Sequence, residues 1–556
     1  MRSNDTTLVY NGEIYNHAEL RRELEALGHK FHSRCDTEVL LHAFLEWDTR
    51  AFAKLRGMYA AAFWTQHTRR LVLLRDRMGI KPLYFSENKG NLYFGSEVKT
   101  ILAHPEISRR IDPLSLDRYL SLNYIPGPRT MIEGIEKLPP GHFLDWRDGK
   151  SAIANYWKLE FQPDSRLSLN AAKDELDSLL KSAVKEHLVS DVPLGVWSSG
   201  GVDSSTILHY AAEANLKTFS ISFKGREFDE SRYFREVAEK YQTDHHEFDL
   251  NEDMDVQGAV EELAQYSDDP MADAGSIPVW FLSRMCREEV TVALSGDGAD
   301  ELFGGYNTYL ADGYAKKLRK VPLGMRRLAA GLTGFLPVSN DKIGLDYKLT
   351  RMLNGALLDP VDAHFFWNGT FNMGEKRRLL LDPIEQPPLP FPGSFLQLDQ
   401  LTYLPDDILH KCDRMSMAHS LEVRPPFLDH RIVEFAAKLP EKLKTRKRVL
   451  RELMKDKLPA SVLSRRKEGF DIPVHHWLRT ILKPLLLDTL NERTVSATGL
   501  FSWPAIDETI QAHLGRKANL GYHLWGLLVL FLWMKHWRIE TSTSSADLKC
   551  ANMALR

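Results

Sequence analysis

The sequence has little cysteine. Its 556 residues include only four, at Cys35, Cys286, Cys412 and Cys550, and no two of them are close together. This spacing excludes the paired-cysteine pattern of a zinc site and the dense cysteine framework of a disulfide-stapled domain. Widely spaced single cysteines are typical of a reducing compartment, so a cytoplasmic location is expected.

Excess charge and long apolar runs are also missing. The net charge is −3, which gives no reason to expect a nucleic acid or a lipid surface as a partner. The chain starts with polar residues, so no signal peptide is indicated. The most apolar late stretch, residues 524–533, is too short to cross a bilayer. We expect it to form a buried helix near the C-terminus.

Residues 1–150 differ in pattern from the rest of the chain. Asn16 and Glu19 have the spacing of a capping pair for a helix that stops at Gly28. Short apolar runs separated by turn residues then predict an antiparallel sheet. These runs lie at 58–64, 71–75, 82–85 and 92–95. Residues 151–170 are interpreted as a linker.

Residues 171–540 alternate between strand and helix patterns. The predicted strands are 192–197, 218–223, 245–250 and 290–294. Helical patterns such as 230–241 lie between them, and this alternation indicates a parallel sheet with helices on both faces. Ligands of such a sheet bind at the carboxyl ends of its strands. Beyond Tyr306 the pattern is mostly helical, and residues 541–556 are interpreted as a tail.

A serine- and glycine-rich motif follows the first of these strands. It reads Ser198-Ser199-Gly200-Gly201-Val202-Asp203-Ser204-Ser205 and opens a helical pattern. Backbone N–H groups and the positive end of a helix dipole meet at such a turn and favour a bound anion. The motif lacks the lysine of a Walker phosphate loop. Donors combined with the single carboxylate of Asp203 suit a pyrophosphate held through Mg²⁺.

A second motif, residues 295–306, follows the strand at 290–294. Its carboxylates Asp297, Asp300 and Glu301 lie within five residues of one another. Such carboxylates repel one another unless cations share the site, and Mg-ATP would supply those cations. An acidic surface turn is the alternative interpretation, but the preceding strand and the neighbouring glycines favour a site.

Both motifs resemble those of a known family. Residues 199–205 look like the pyrophosphate loop of AMP-forming ATP pyrophosphatases, and the most similar pattern is the synthetase domain of glutamine-hydrolysing asparagine synthetases. Residues 404–429 and 465–470 match further motifs of that family. The resemblance implies an α/β protein of two domains. An incomplete N-terminal αββα sandwich of the Ntn type is expected at 1–150, and a parallel-sheet, adenine-nucleotide α-hydrolase-like domain with a helical C-terminal part at 171–540.

The resemblance also implies roles for residues of the synthetase site. Lys467 would neutralise charge on the reacting phosphate, and Asp203 and Asp300 would hold Mg²⁺. Asp297 would lie near the amino-acid substrate and the incoming ammonia, although the family often has Glu there. Asp407 and Arg424 would lie near the cleft.

The nucleotide is expected to contact two sets of residues. Leu194, Val196 and Ser222 are assigned to the adenine side, because they end strands beside the pyrophosphate loop. The phosphate contacts are expected from Ser198, Ser199, Gly200, Gly201, Asp203, Ser204, Ser205, Ser295 and Gly296.

The implied reaction is the amidation of aspartate. ATP would transfer AMP to the β-carboxylate and release pyrophosphate, and ammonia would then displace AMP. ATP and Mg²⁺ are therefore the expected cofactors, and a homodimer is reasonable by resemblance. Relatives that amidate sugar acids or close β-lactam rings share the fold, so another acceptor carboxylate stays open.

The N-terminal part resembles the glutaminase domain of the same family. Residues 11–16 and 35–38 carry the match. Asn11 and the Gly12 N–H would form an oxyanion hole, and Glu13 and Asp36 would bind the amino group of glutamine.

The chain departs from the family at the glutaminase nucleophile. The family begins with a cysteine whose α-amine serves as base, whereas this sequence begins Met1-Arg2-Ser3, and about 60 to 70 residues of the family pattern are absent. Cys35 cannot replace that cysteine, because its amine is in a peptide bond. We interpret Cys35 as a core or near-site thiol.

Two explanations of this departure stay open. The chain is either a fragment of a glutamine-dependent enzyme or a synthetase that takes ammonia directly or from a partner. A regulatory pseudoenzyme is a third hypothesis for the N-terminal part alone, because Asp203, Asp300 and Lys467 are all present in the other domain.

Overall fold

The computed structural model describes residues 1–214, 216–224, 229–251, 254–333, 344–384, 387–465, 469 and 472–540. The N-terminal domain contains four α-helices: α1 (His17–Ala26), α2 (Asp36–Trp47), α3 (Val98–Leu102) and α4 (Pro113–Leu122). Its strands are β1 (Arg2–Ser3), β2 (Thr6–Ile14), β3 (Gly57–Thr65), β4 (Arg70–Arg75), β5 (Tyr84–Asn88), β6 (Asn91–Gly95), β7 (Glu136–Lys137), β8 (His142–Arg147) and β9 (Lys150–Asn155).

Two antiparallel sheets are layered in this domain. The larger sheet has the order β1-β2-β3-β4-β8-β9, and the smaller one has the order β6-β5-β7. One apolar core lies between the larger sheet and helices α1 and α2, with Phe44 and Phe63 in it. A second core, with Leu73 and Phe85, joins the two sheets, and α3 covers the smaller sheet. The layers follow the expected αββα order.

The predicted cap of α1 does not form. Asn16 precedes the helix, but its side chain makes no capping hydrogen bond. Its amide instead donates to the Lys54 carbonyl at 3.0 Å and accepts from the Arg56 N–H at 2.8 Å. The tertiary contact with the segment before β3 therefore replaces the local cap that the sequence predicts.

A five-stranded parallel sheet is the centre of the second domain. Its strands are β10 (Leu194–Trp197), β11 (Lys217–Ser222), β12 (Asp244–Asp249), β13 (Val292–Leu294) and β14 (Glu422–Arg424). They are ordered β12-β11-β10-β13-β14, and every pair is parallel. The four predicted strands are confirmed, whereas β14 has only three residues and was not predicted.

Helices surround this sheet and form the C-terminal part. Those threaded through the sheet are α5 (Leu169–His187), α6 (Val202–Ala211), α7 (Ser231–Tyr241), α8 (Val256–Tyr266), α9 (Ser276–Glu289) and α10 (Ala299–Phe303). The later helices are α11 (Asn307–Leu318), α12 (Leu323–Leu332), α13 (Leu345–Gly355), α14 (Pro360–Asn368), α15 (Met373–Leu379), α16 (Phe395–Leu401), α17 (Leu409–Met417), α18 (His430–Lys438), α19 (Glu441–Lys444), α20 (Arg448–Leu453), α21 (Ala460–Ser464), α22 (Val474–Trp477), α23 (Lys483–Thr489), α24 (Glu492–Ala497), α25 (Trp503–Leu514) and α26 (Gly521–Trp537).

Each face of the parallel sheet packs into a different core. Side chains of a strand alternate between its two faces. Trp197 and Phe219 therefore belong to the core that also contains α8, α9 and α26. Val196 and Leu294 belong to the core on the other face, with α5 and α18. This alternation decides which side chains can reach a ligand on a given face.

The C-terminal apolar stretch forms the buried helix that the sequence predicts. Helix α26 packs in the core beside α8, with Leu524, Trp525 and Trp533 fully buried. Among the residues that the structure describes, no helix combines the length and the apolar character needed to cross a membrane.

Buried ion pairs join the two domains. The Lys81 ammonium of the N-terminal domain lies 3.0 Å from the Asp413 carboxylate. Lys137, also from the N-terminal domain, lies 3.2 Å from Asp406 and 3.3 Å from Asp269. Because breaking a buried pair leaves an uncompensated charge, these contacts fix how the domains sit against each other.

A buried histidine bridges three helices of the C-terminal part. His364 of α14 contacts Asp312 of α11 at 2.7 Å and Asp399 of α16 at 3.0 Å. Burial alone would lower the pKa of His364, but these two carboxylates outweigh it and raise the pKa to about 9. The imidazolium is therefore the form that holds the three helices together near neutral pH.

Replacing this histidine should destabilise the protein in a pH-dependent way. A histidine whose pKa is raised on folding stabilises fully below its unfolded pKa of 6.5 and loses that contribution as pH rises through about 9. We expect His364→Gln to cost about 1.5–3 kcal/mol below pH 6.5. The difference from the wild type, measured by urea unfolding, should shrink towards pH 9. A difference that does not vary with pH would show that the bridge is not an imidazolium.

Candidate active site

Two loops meet at the carboxyl ends of neighbouring strands. The serine- and glycine-rich loop follows β10, the acidic loop follows β13, and these two strands pair directly. Within the first loop, the Ser199 N–H donates to the Ser204 hydroxyl at 3.2 Å, and the Gly201 N–H donates to the Ser199 hydroxyl at 3.4 Å. The loop is thus folded on itself at the N-terminus of α6, where the helix dipole favours an anion.

Two glycines are required for this arrangement. Gly200 has a φ of +68°, and a Cβ there would lie 2.4 Å from the Phe234 nitrogen. Gly296 of the acidic loop has no room for a Cβ either, because that atom would lie 2.8 Å from the Ser204 nitrogen. Both positions therefore need glycine, the first for conformation and close packing, and the second so that the two loops can touch.

Asp203 and Asp300 converge on one ammonium group. The Lys447 Nζ lies 2.5 Å from Asp203 Oδ2 and 2.5 Å from Asp300 Oδ1. Lys447 is only 5% exposed, so the three charges share a space largely closed to water. Gly305 leaves room for the contact, because a Cβ there would lie 1.9 Å from Asp300 Oδ1. The structure brings together the two residues that the sequence predicts as metal ligands.

Lys447 is a site residue that the sequence does not reveal. It lies in a basic stretch with Arg446 and Arg448, and such stretches are usually solvated. Its backbone has a φ of +56° just before α20. This left-handed turn directs the lysine inward, and no pattern in the sequence predicts it.

The two loops form one wall of a cleft of about 500 Å³. The residues of the loops that line it are Ser198, Ser199, Asp203, Ser204, Ser295, Gly296, Asp297, Gly298, Asp300 and Glu301. Gly200, Gly201 and Ser205 shape the first loop but do not line the cleft. The Ser205 side chain is fully buried.

The apolar residues that line the cleft are not the ones that the sequence predicts for the adenine side. They form an apolar wall and are Trp197, Phe219, Ile221, Val279 and Leu282. The structure does not bring Leu194, Val196 or Ser222 to the cleft. Leu194 and Val196 pack in the core on the opposite face of the sheet, because alternate residues of a strand point to opposite faces. Ser222 is buried, with its hydroxyl 3.3 Å from Asp249.

The cleft is also lined by a charged cluster, Asp273, Asp407 and Lys411, that the sequence shows only in part. Asp407 lies in a single π-helical turn before α17, a distortion that often occurs at functional sites. Lys411, on the first turn of α17, contacts the Asp273 carboxylate. Burial raises the pKa of Asp407 well above its ordinary value, and the neighbouring Asp273 raises it further. The cluster therefore combines one cation with a protonated and an ionised carboxyl group.

Two further carboxyl groups of the acidic loop, those of Asp297 and Glu301, line the cleft. Asp297 accepts a hydrogen bond from the Ser295 hydroxyl at 2.8 Å. Glu301 accepts one from the Tyr306 hydroxyl at 2.5 Å. Burial raises the pKa of Glu301 to about 8, with a further contribution from the Asp300 carboxylate. Glu301 therefore adds little negative charge to the cleft at neutral pH.

Comparison with known proteins identifies the family. The model of the asparagine synthase family matches residues 175–538, and that of the glutamine amidotransferase domain matches residues 1–157. This chain belongs to the asparagine synthase family. It is therefore a ligase that forms carbon–nitrogen bonds.

Similar proteins cover almost the whole chain. Glutamine-hydrolyzing asparagine synthetase 1 of Bacillus subtilis is 32% identical over 555 residues, which is 95% of this chain and 85% of that protein. A putative glutamine-hydrolyzing asparagine synthetase of Mycobacterium bovis is 33% identical over 557 residues, which is 95% of this chain and 84% of that protein. Both family domains are thus present along the chain.

The lysine motif of the asparagine synthase family is only partly described. Lys467 lies outside the described residues, so its role stays a prediction. Arg465, at the start of the motif, donates to the Ser199 carbonyl at 3.2 Å and pairs with Glu230. Gly469, near its end, lines the cleft.

The residues expected to bind glutamine lie together at the end of β2. Asp36, in the first turn of α2, accepts hydrogen bonds from the Ile14 N–H at 2.9 Å and the Tyr10 hydroxyl at 2.7 Å. Burial raises the pKa of Glu13 to about 7, and Asp36 contributes further. Cys35 is exposed just before Asp36, which excludes a core thiol and leaves a near-site one.

Asn11 and Gly12 occupy the same strand end. The Asn11 amide donates to the Ser96 hydroxyl at 3.3 Å. Gly12 has a φ of +144°, and a Cβ there would lie 2.1 Å from the Met58 carbonyl oxygen. Both residues are held in place by the neighbouring strand and loop.

Arg424 does not reach the cleft of this asparagine synthase family member. Its guanidinium lies 3.0 Å from Glu13 and 2.6 Å from Glu422, and it also donates to the carbonyls of His187 and Val189. Only its backbone touches the site, where its carbonyl accepts from the Ser295 N–H at 3.0 Å. The expectation that both Asp407 and Arg424 flank the cleft thus holds for Asp407 alone.

Proposed function

We propose that the chain amidates aspartate in two steps, through a β-aspartyl-AMP intermediate. The observation that carries this proposal is the convergence of Asp203, Asp300 and Lys447 between the serine- and glycine-rich loop and the acidic loop. A carboxylate is a poor acyl donor, and activation by AMP requires charge neutralisation at the phosphates. Membership of the asparagine synthase family supports the same chemistry.

ATP would lie along the cleft with its base on the apolar wall. Trp197, Phe219 and Ile221 offer that wall beside the serine-rich loop. The pyrophosphate end would lie on the loop, where Ser199 and Ser204 supply hydroxyl groups. The α-phosphate would then face the acidic loop and the acceptor carboxylate.

Asp203 and Asp300 fit a Mg²⁺ ion that is shared with the phosphates. No group of three or more His, Cys, Asp or Glu side chains that could hold a metal is found in the described part of the chain. Mg²⁺ in phosphoryl-transfer sites is usually held by one or two carboxylates plus phosphate oxygens. The buried Asp300 and half-buried Asp203 carboxylates, which both contact one ammonium group, suit that role. When bound, the ion would neutralise the negative charge of the pyrophosphate leaving group.

The charged cluster of Asp273, Asp407 and Lys411 suits an amino-acid acceptor. Lys411 would attract a carboxylate of aspartate, and Asp297 and Asp273 would attract its ammonium group. Holding the acceptor by both ends would place the β-carboxylate in line with the α-phosphate.

The two steps balance without another reactant. A β-carboxylate oxygen attacks the α-phosphorus, and the bond to pyrophosphate breaks. Ammonia then attacks the acyl carbon, and AMP leaves with the oxygen that came from aspartate. The nitrogen loses one proton, for which the Asp297 carboxylate is a nearby acceptor.

An assay of pyrophosphate release tests the acceptor. We expect release that depends on aspartate and ammonium and yields asparagine. Release that depends on a sugar acid or a β-amino acid in place of aspartate would contradict the proposal and favour the other amidotransferases or β-lactam-forming relatives. Homodimer formation and a cytoplasmic location stay predictions.

Lys467→Ala should abolish this pyrophosphate release while the protein stays folded. We expect a loss of about 100- to 1,000-fold, because a cation at the reacting phosphate stabilises the transition state. Arg377→Ala, which removes an exposed cation of α15, is the matched control and should keep wild-type release. An unchanged rate in Lys467→Ala would refute the role assigned to this lysine.

A polypeptide of exactly these 556 residues should use ammonium rather than glutamine. The proposed glutaminase chemistry needs a cysteine with a free α-amine, and Cys35 is an internal residue of the chain. We therefore expect asparagine formation with ammonium and a rate at least about 100-fold lower with glutamine. Equal rates with the two nitrogen donors, measured as asparagine formed, would overturn this expectation.

A further inference from the structure

Helix α12 presents apolar side chains to water. Met325, Leu328 and Leu332 are 62%, 68% and 58% exposed. Their spacing of three and four residues places them on one side of the helix. No described residue of α12 is buried, so this side faces away from the protein body.

The inner side of the same helix is polar or small. Arg326 donates to the Val321 carbonyl at 3.0 Å and also to the Ala356 carbonyl. Ala329 and Ala330 are half-buried beside it. A surface helix ordinarily buries its apolar side and exposes its polar one. In α12 the order is reversed, which indicates that the outer side meets another surface.

The chain segment around α12 is rich in exposed cations. Residues 313–333 contain six basic residues and no acidic one. Of the basic residues, Lys316, Lys317, Lys320 and Arg327 are exposed. The whole chain has a net charge of −3. The net charge therefore does not show that this segment has an excess of positive charge.

We propose that α12 docks on an anionic lipid surface. Met325, Leu328 and Leu332 enter the boundary between headgroups and acyl chains, and the four exposed cations contact lipid phosphates. A second copy of the chain fits less well, because a two-fold contact brings the same cations together. A nucleic acid also fits less well. Its phosphates would pair with the cations, but the three apolar side chains would stay exposed to water.

Vesicle flotation tests the proposal with the full chain. We expect the protein to float with vesicles of phosphatidylcholine mixed with phosphatidylglycerol and to stay at the bottom with phosphatidylcholine alone. Added salt should release it, since screening weakens the attraction to anionic headgroups. The triple variant Met325→Ser, Leu328→Ser, Leu332→Ser should reduce the floated fraction about tenfold or more.

Leu381→Ser is the matched control, because Leu381 is 61% exposed at a different place. It should float like the wild type, and all variants should keep wild-type pyrophosphate release. Equal flotation with both kinds of vesicle, or flotation unchanged by the triple variant, would overturn the proposal. Two other results would also overturn it. One is a dimer that forms without lipid and is lost in the triple variant. The other is binding to polyglutamate or heparin that is lost in the triple variant.

Discussion

Asp300→Asn is expected to lower aspartate-dependent pyrophosphate release by about 100- to 1,000-fold. Asp300 and Asp203 each lie 2.5 Å from the Lys447 ammonium. The amide keeps the size of the side chain but removes one of the two negative charges. The proposed Mg²⁺ would then be held by a single carboxylate, and would neutralise the charge of the leaving pyrophosphate less well.

The fold of this variant should survive, because Lys447 still pairs with Asp203. Thermal unfolding should therefore change by only a few degrees. Asp148→Asn is the matched control, since Asp148 is an exposed residue of the N-terminal domain. A variant that releases pyrophosphate at the wild-type rate would show that Asp300 does not take part in the reaction.

Lys447→Met should lower both the activity and the stability of the protein. Removing the ammonium leaves the buried Asp300 carboxylate facing the half-buried Asp203 carboxylate, which we expect to cost about 3 kcal/mol of unfolding free energy. Loss of a cation beside the phosphates should also lower pyrophosphate release by about 100-fold or more. Urea unfolding and the release assay measure the two effects separately.

Lys447→Arg separates charge from geometry. It keeps the cation, so stability should recover, but the wider guanidinium cannot repeat two contacts of 2.5 Å from one nitrogen. Activity should stay well below that of the wild type. Lys442→Met, an exposed neighbour on α19, should resemble the wild type in both assays. Full activity in Lys447→Met would remove this lysine from the site.

The central part of the site could be predicted from the sequence. The serine- and glycine-rich loop and the acidic loop each follow an apolar strand, and parallel strands place such loops at one edge of the sheet. Asp203 and Asp300 therefore had to lie close together, and the structure has both within 2.5 Å of one ammonium. Local pattern and sheet topology agree in this region.

Other parts depend on tertiary contacts that no local pattern contains. Lys447 reaches the site through a left-handed turn. Leu194 and Val196 lie away from the cleft, because they point to the face of β10 that α5 covers, and the sequence does not show which face of the strand is covered. Arg424 lies at a strand end, as a site residue would, but its side chain is drawn away by Glu13 of the other domain.

No sequence pattern predicts the charged cluster of Asp273, Asp407 and Lys411 as a whole either. Asp273, Asp407 and Lys411 come from a loop, a π-helical turn and a helix. Only folding brings them together, and their shared burial then sets which of them are charged. The raised pKa of Asp407 is a property of that assembly rather than of its motif.

Transfer of oxygen from aspartate tests the central claim most directly. Aspartate labelled with ¹⁸O in its β-carboxylate is incubated with ATP, Mg²⁺, ammonium and the enzyme, and the products are analysed by mass spectrometry. The account predicts one labelled oxygen in AMP and none in pyrophosphate, because the carboxylate attacks the α-phosphorus. Label in inorganic phosphate, with ADP as the other product, would show attack at the γ-phosphorus and contradict it.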